Sequence, residues 1–277
     1  LIQVLMSGML TLHEELREQK AELFRDPAMK ERRAKARLTQ LCDTLATLWG
    51  SDRVLRSIQY GMRAIGGTPG IPDEAKVVAI TFGSVFSQAR YVTRIYGVLD
   101  GCEGLARNIS KRRPKDERLA LTIQYCFGGV AFHVLENLAL ILNIVRKCDE
   151  NRIPRLKGAL RRAGVWDSAN DIDAAAQLFW LIEVLAKLYL SIKAQLDNAR
   201  DTREAQQRGD RAREAVLKKE RAVLLLDLVK IVCDAPLAVH FLAMYGKRKG
   251  TLSLGVVGLL GLAGSIAQFL VRFRKQA

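Results

Sequence analysis

Residues 251–271 read TLSLGVVGLLGLAGSIAQFLV, from Thr251 to Val271. The stretch holds no charged side chain, and as a helix its 21 residues extend about 31 Å at ~1.5 Å per residue. That length matches the hydrocarbon core of a bilayer, about 30 Å. Gly255, Gly258, Gly261 and Gly264 recur at every third position, and Ala263 and Ala267 add a small-xxx-small pair. Small residues at such spacing let helix backbones approach closely in lipid, where apolar burial gives helices no reason to associate. A buried soluble helix rarely tolerates four glycines, each costing about 1 kcal/mol against Ala. The segment therefore reads as a membrane-spanning helix with a glycine packing face. Basic residues flank it on both sides, Lys247 to Lys249 before and Arg272, Arg274 and Lys275 after. Charge bias therefore does not orient it.

The chain before it alternates apolar and charged stretches. Ala222–Tyr245 is apolar with Asp227, Lys230 and Asp234 embedded, and Pro236 is expected to bend it. Lys193–Arg221 is a charged run, read as a solvent-exposed helix or linker. Ala174–Ile192 is amphipathic, with Glu183 and Lys187 in the favourable i, i+4 order for a helical ion pair. Leu119–Val145 is long enough to span, but His133, Glu136 and Asn137 sit near its middle. A central charge costs about 2.5–3.5 kcal/mol, which several Leu, Ile and Val at about −0.3 to −0.6 kcal/mol each roughly balance. It reads as a span whose polar face packs on protein, or as a shallow hairpin.

Towards the N-terminus the pattern is amphipathic. Glu74 to about Ile109 is helical, with Arg90, Arg94 and Arg107 among Val92, Ile95, Val98, Leu99 and Leu105. Such a helix suits the plane of a membrane interface, and equally a helical bundle. From Leu38 to Ile65, Leu38, Leu41, Leu45, Leu48, Leu55 and Met62 mark one helical face. Arg53, Arg56, Tyr60 and Arg63 lie on a neighbouring face, whose ordinary explanation is an exposed side of a core helix. Residues 1–37 read as a charged helical extension broken at Asp26-Pro27. Leu1–Leu12 is apolar but too short to span, and without a basic lead it does not read as a secretory signal.

Composition bounds the chemistry. The 277 residues carry 44 Lys and Arg against 29 Asp and Glu, a net charge of +15 that favours polyanionic partners. With 49% hydrophobic and 26% charged residues the chain is neither wholly disordered nor mostly membrane. Five scattered cysteines form no CxxC pair and fit a reducing compartment. His13, His133 and His240 are isolated, and His133 with Glu136 makes only half a metal motif. No metal site and no cofactor is expected. No phosphate-binding loop, zinc-protease or nucleophile-elbow motif occurs, so no enzyme activity is expected. Aromatics are only 6% of residues and do not interleave with basic residues, so nucleic acid is not an expected partner.

Four segments, in order, resemble the peroxin eleven family of peroxisomal membrane proteins. Its N-terminal hallmark helix resembles Gly50-Ser-Asp52-Arg53-Val-Leu-Arg56-Ser-Ile-Gln59-Tyr60-Gly-Met-Arg63, with Val54 where the family usually carries a lysine. Its basic amphipathic helix is similar to Arg90–Leu99. Its Leu-Glu-Asn-Leu-Ala element is similar to residues 135–139. Its Asp-x-Pro turn before a glycine-rich span is similar to Asp234–His240 followed by Leu254–Gly261. The resemblance covers about residues 45–273 and implies a protein of peroxisome elongation and division, in a peroxisomal or glycosomal membrane.

The expectation is thus an all-α, membrane-associated helical bundle with amphipathic helices and one to three apolar membrane segments. Its parts are residues 1–37 as a charged extension, 38–117 as amphipathic membrane-active helices and 118–192 as an apolar hairpin-like region. Residues 193–221 form a charged helix or linker, and 222–277 an apolar helix with the glycine-rich span. Arg53, Arg56, Arg63, Arg90 and Arg94 are expected to meet the phosphates of an anionic phospholipid membrane. Gly255, Gly258, Gly261 and Gly264 are expected to pack helices and to support a homo-oligomer. Glu136, Asn137, Glu183 and Lys187 are expected as polar residues at membrane depth. Organelle-division machinery is a further expected partner. Two alternatives stand beside membrane remodelling: a small-metabolite channel, and a structural subunit of a larger membrane complex.

Overall fold

The computed structural model describes residues 47–147, 154–164, 168–246 and 249–275, with a few positions between 35 and 45. The expectations for residues 1–34 and for Lys247 and Arg248 lie outside the described residues. Among the described residues every regular element is helical. The helices are α1 (Leu48–Gly66), α2 (Asp73–Ser110), α3 (Lys115–Ile123), a π-helical stretch (Gln124–Ala131), α4 (Phe132–Lys147), α5 (Pro154–Arg162), α6 (Ala169–Gln207), α7 (Arg211–Tyr245) and α8 (Leu254–Lys275).

Local chemistry sets the boundaries. The Thr47 hydroxyl accepts from the Gly50 amide at 3.0 Å and starts α1. Gly67 closes it, its N–H donating to the Arg63 carbonyl at 3.0 Å. Gly70, at φ +83°, turns the chain in a conformation side chains disfavour. Pro72 then leads into α2, whose first turn carries Asp73 and Glu74 at the positive end of the helix dipole. Pro114, with Asp116 and Glu117, begins α3 in the same way.

The stretch expected as a charged helix or linker is a helical hairpin. α6 runs unbroken past Ile192 to Gln207, Gly209 turns at φ +67°, and the Asp210 carboxylate accepts from the Arg213 amide at 2.9 Å to cap α7. Pro236 lies inside α7, which runs on to Tyr245 without a break.

The packing order closes on itself. α1 packs on α2, α2 on the π stretch and α4, and these on α6. In turn α6 packs on α7, α7 on α8, and α8 back on α1. Glycines set the spacing at three seams. Gly101 of α2 meets Gly129 of the π stretch backbone to backbone. Gly128 leaves room for the Glu183 side chain of α6. On α8, Gly255, Gly258 and Gly261 receive Gly67, Ala64 and Tyr60 of α1, while a Cβ at Gly264 would lie 3.3 Å from the Cys233 Cβ of α7. The glycine face therefore lies inside the chain, where the α1 region and α7 occupy it.

Polarity is inverted relative to a water-soluble bundle. Arg56, Arg90, Asp52, Glu136, Lys230 and Asp234 are buried, while Val77, Phe82, Val85 and Leu99 of α2, Ile141 of α4, Leu185 of α6 and Leu259 of α8 are exposed. Three helical stretches are long and apolar enough to cross a membrane: Lys115–Arg146, Asn170–Gln207 and Leu254–Arg274. A small apolar cluster of Tyr60, Leu237 and Val257, flanked by Trp180 and Phe241, joins α1, α6, α7 and α8.

Candidate functional site

The ring of helices encloses a cavity of about 450 Å³, lined from α1, α2, α4, α6, α7 and α8. Its wall is built from ion pairs between helices. From α2, Arg90 Nε donates to Asp52 Oδ1 of α1 at 3.0 Å and Arg90 Nη1 to Gln59 Oε1 at 2.7 Å. Arg53 approaches the other Asp52 oxygen at 3.5 Å. Arg94 of α2 pairs with Glu136 of α4, and Glu183 with Lys187 along α6. Arg56 of α1 donates to Asp234 of α7, which Lys230 approaches from its own helix at 3.8 Å.

These contacts decide the charges. Burial would raise the Asp52 carboxyl, but Arg90, Arg53 and Arg94 outweigh it and hold the group well below the usual carboxylate range. Lys230 goes the other way. Burial pulls its ammonium down, neighbouring Lys187 adds to the effect, and Asp234 only partly offsets them, leaving it at about 7. α7, which carries it, is not one of the three apolar candidate spans.

Aromatic rings form the rest of the wall. The Arg63 guanidinium lies 5.4 Å from the Tyr60 ring centre and 5.8 Å from that of Phe241. Trp180 continues the surface, 6.3 Å from both Phe132 and Phe241. His240 is structural: its Nδ1 accepts from the Leu252 amide at 3.0 Å and ties the start of the glycine-rich segment to α7. Among the described residues no group of three His, Cys, Asp or Glu side chains converges as a metal site.

The arginine expectation needs correction. In this conformation Arg56 and Arg90 are buried in ion pairs, and Arg53, Arg63 and Arg94 are half-buried along the same cavity. The reason is that α2 presents its aliphatic side outward, so its arginines meet the carboxylates of α1 and α4. The intramembrane polar set is brought together in part. Glu136, Glu183 and Lys187 line the cavity, whereas Asn137 donates to the His133 carbonyl of its own helix at 2.7 Å.

Asp52, Gln59, Lys230 and Asp234 complete the site and were not picked as site residues from sequence. A signal existed for two of them. Lys230 and Asp234 stand four apart within an apolar helix, the spacing of Glu183 and Lys187 with the order of base and acid reversed.

A family model described as Peroxisomal biogenesis factor 11 (PEX11) matches residues 158–271. The match takes in α6, α7 and α8, and with them Glu183, Lys187, Lys230, Asp234 and the four glycines. The two N-terminal motifs and the Leu135–Ala139 element lie before it. No curated protein and no solved structure gives a match. The matched family is a peroxisome biogenesis factor and not a known enzyme family.

Proposed function

Taking the chain as a peroxin eleven family protein with a role in peroxisome biogenesis, we propose that it resides in the peroxisomal or glycosomal membrane and promotes organelle elongation and division by inserting helices that expand one leaflet. One observation carries this reading: α2 turns Val77, Val78, Ile80, Phe82, Val85 and Leu99 outward and keeps Arg90 inside. A helix with that polarity gains by burying its outer face in the acyl region, at about 25 cal/mol per Å² of apolar surface removed from water. The Arg94–Glu136 ion pair ties this wedge to the candidate span that contains α4, and Arg90 ties it to Asp52 of α1. Copies gathered in one membrane add their wedges, through surfaces other than the occupied glycine face.

Headgroup contact falls to exposed basic residues between helices. Lys111 and Arg112, in the turn between α2 and α3, are exposed. Each cation held near an anionic surface contributes about 1 kcal/mol. The test is reconstitution of the full-length chain into anionic vesicles with tubulation scored by electron microscopy. Val85→Glu and Phe82→Glu on the outer face abolish tubules while the protein stays inserted, and Lys111→Glu with Arg112→Glu weakens them. Unchanged tubulation by the outer-face variants removes α2 as the wedge.

A second reading, passage of small metabolites, is favoured by the polar cavity at the ring's centre. Conductance of the purified protein in a planar bilayer separates the two, since a flat trace with intact tubulation eliminates passage.

A further inference from the structure

The cavity wall carries more positive than negative charge. Among the described residues lining it, eight are Lys or Arg and six are Asp or Glu. Four of the carboxylates are engaged with their own cations: Asp52 with Arg90, Glu136 with Arg94, Glu183 with Lys187 and Asp234 with Arg56. Lys230 is held more loosely than the cations of these four pairs. Its side chain is buried, yet its ammonium comes no closer to Asp234 than 3.8 Å, beyond hydrogen-bond range. Lys187 of α6, paired with Glu183, and Arg53 of α1, 3.5 Å from Asp52, line the same cavity.

Three basic groups from three helices therefore line one cavity of about 450 Å³. That volume lies within the range of small-molecule pockets, roughly 300–1,000 Å³. A buried ammonium without a hydrogen-bond acceptor is unfavourable, and an anion entering the cavity removes the penalty. We propose that the ring holds a small oxyanion of the phosphate class, seated between Lys230, Lys187 and Arg53. Tetrahedral oxygens suit donors approaching from three helices: a lysine binds phosphate as a point charge and an arginine with a planar fork. A free phosphate and the phosphomonoester head of a lipid share this chemistry. The site is independent of the membrane-shaping reading, because a vesicle that is not tubulated can still hold a protein that binds phosphate.

The test uses the full-length chain in a mild, phosphate-free detergent, with thermal unfolding followed against added inorganic phosphate and against chloride at matched ionic strength. Phosphate produces a saturable rise in Tm and chloride does not. Lys230→Met weakens phosphate affinity at least tenfold, while Lys219→Met, at an exposed lysine of the same helix, leaves it unchanged. Glu183→Gln tightens binding because it removes a competing carboxylate, an effect that loss of packing cannot produce. That variant decides the matter where Lys230→Met fails to fold. A parallel measurement in nanodiscs with and without phosphatidic acid identifies the source. If the lipid abolishes the response to phosphate, the headgroup is the occupant; if the response persists, the occupant is soluble. Either result supports the oxyanion site. Absence of a saturable phosphate effect, equal behaviour of the Lys230 and Lys219 variants, or weakening by Glu183→Gln overturns it.

Discussion

Arg56 and Asp234, separated by 178 positions in sequence, form a buried ion pair between α1 and α7. The two residues belong to different ends of the chain, and their pairing helps close the helical ring. It also explains why α1, rich in arginine, is an inner helix.

Removing one partner leaves a buried charge uncompensated. Asp234→Ala therefore lowers stability by about 3–5 kcal/mol, since Arg56 loses its carboxylate and Lys230 its nearest one. Replacing the pair together, Arg56→Met with Asp234→Leu, recovers much of that loss because no stranded charge remains. Thermal unfolding in detergent of the two single variants and the double variant measures the coupling. Equal additive losses would show that the pair is not coupled.

Two glycines of the α1–α8 region respond in opposite directions. A side chain at Gly258 meets the Ala64 backbone of α1, so Gly258→Leu forces the helices apart, at a cost of about 1–3 kcal/mol or more. Gly61, within α1, has open space where its Cβ would stand. Gly61→Ala therefore stabilises the protein by about 0.5–1 kcal/mol through helix propensity alone. Limited proteolysis and Tm of both variants check the contrast, and a Gly258→Leu protein as stable as wild type would contradict this seam.

Lys230 makes stability depend on pH. Its ammonium is lowered from 10.5 to about 7 in the folded chain, by burial first and then by Lys187, with Arg53 adding and Asp234 and Glu183 opposing. Between those two values the unfolded chain binds a proton that the folded chain lacks, so stability rises with pH across that window. Below about 7 both states hold the proton and the slope vanishes. Tm measured between about pH 7 and about pH 9.5, inside that linkage window, shows a rise that Lys230→Met flattens. Identical slopes for the two proteins would refute this assignment.

Much of the fold is legible in the sequence because long apolar helices announce themselves by length and composition. The helix read from Glu74 to about Ile109 lies within a residue of α2 at each end, and the uncharged run at 251–271 marks α8 within a few residues. Helix boundaries drawn by composition fared worse at Ile192, where the change from apolar to charged residues is not a break but α6 continuing into a polar hairpin. The arginines of α1 and α2 misled for a different reason. Amphipathicity locates a polar face but not its direction, and direction depends on carboxylates far away, such as Asp234 for Arg56 and Glu136 for Arg94. Likewise the glycine spacing of α8 signals close packing but does not name the partner, which is α1 of the same chain.

The central claim is that lipid, not water, covers the apolar outer faces. Its most direct measurement is nitroxide accessibility in reconstituted vesicles, with single spin labels at Val85, Ile141, Leu185 and Leu259 in a full-length chain whose native cysteines are replaced. Lipid cover produces relaxation by dissolved oxygen and shielding from a water-soluble nickel chelate at all four positions. Ready access of the nickel chelate to Ile141, Leu185 and Leu259 would contradict it.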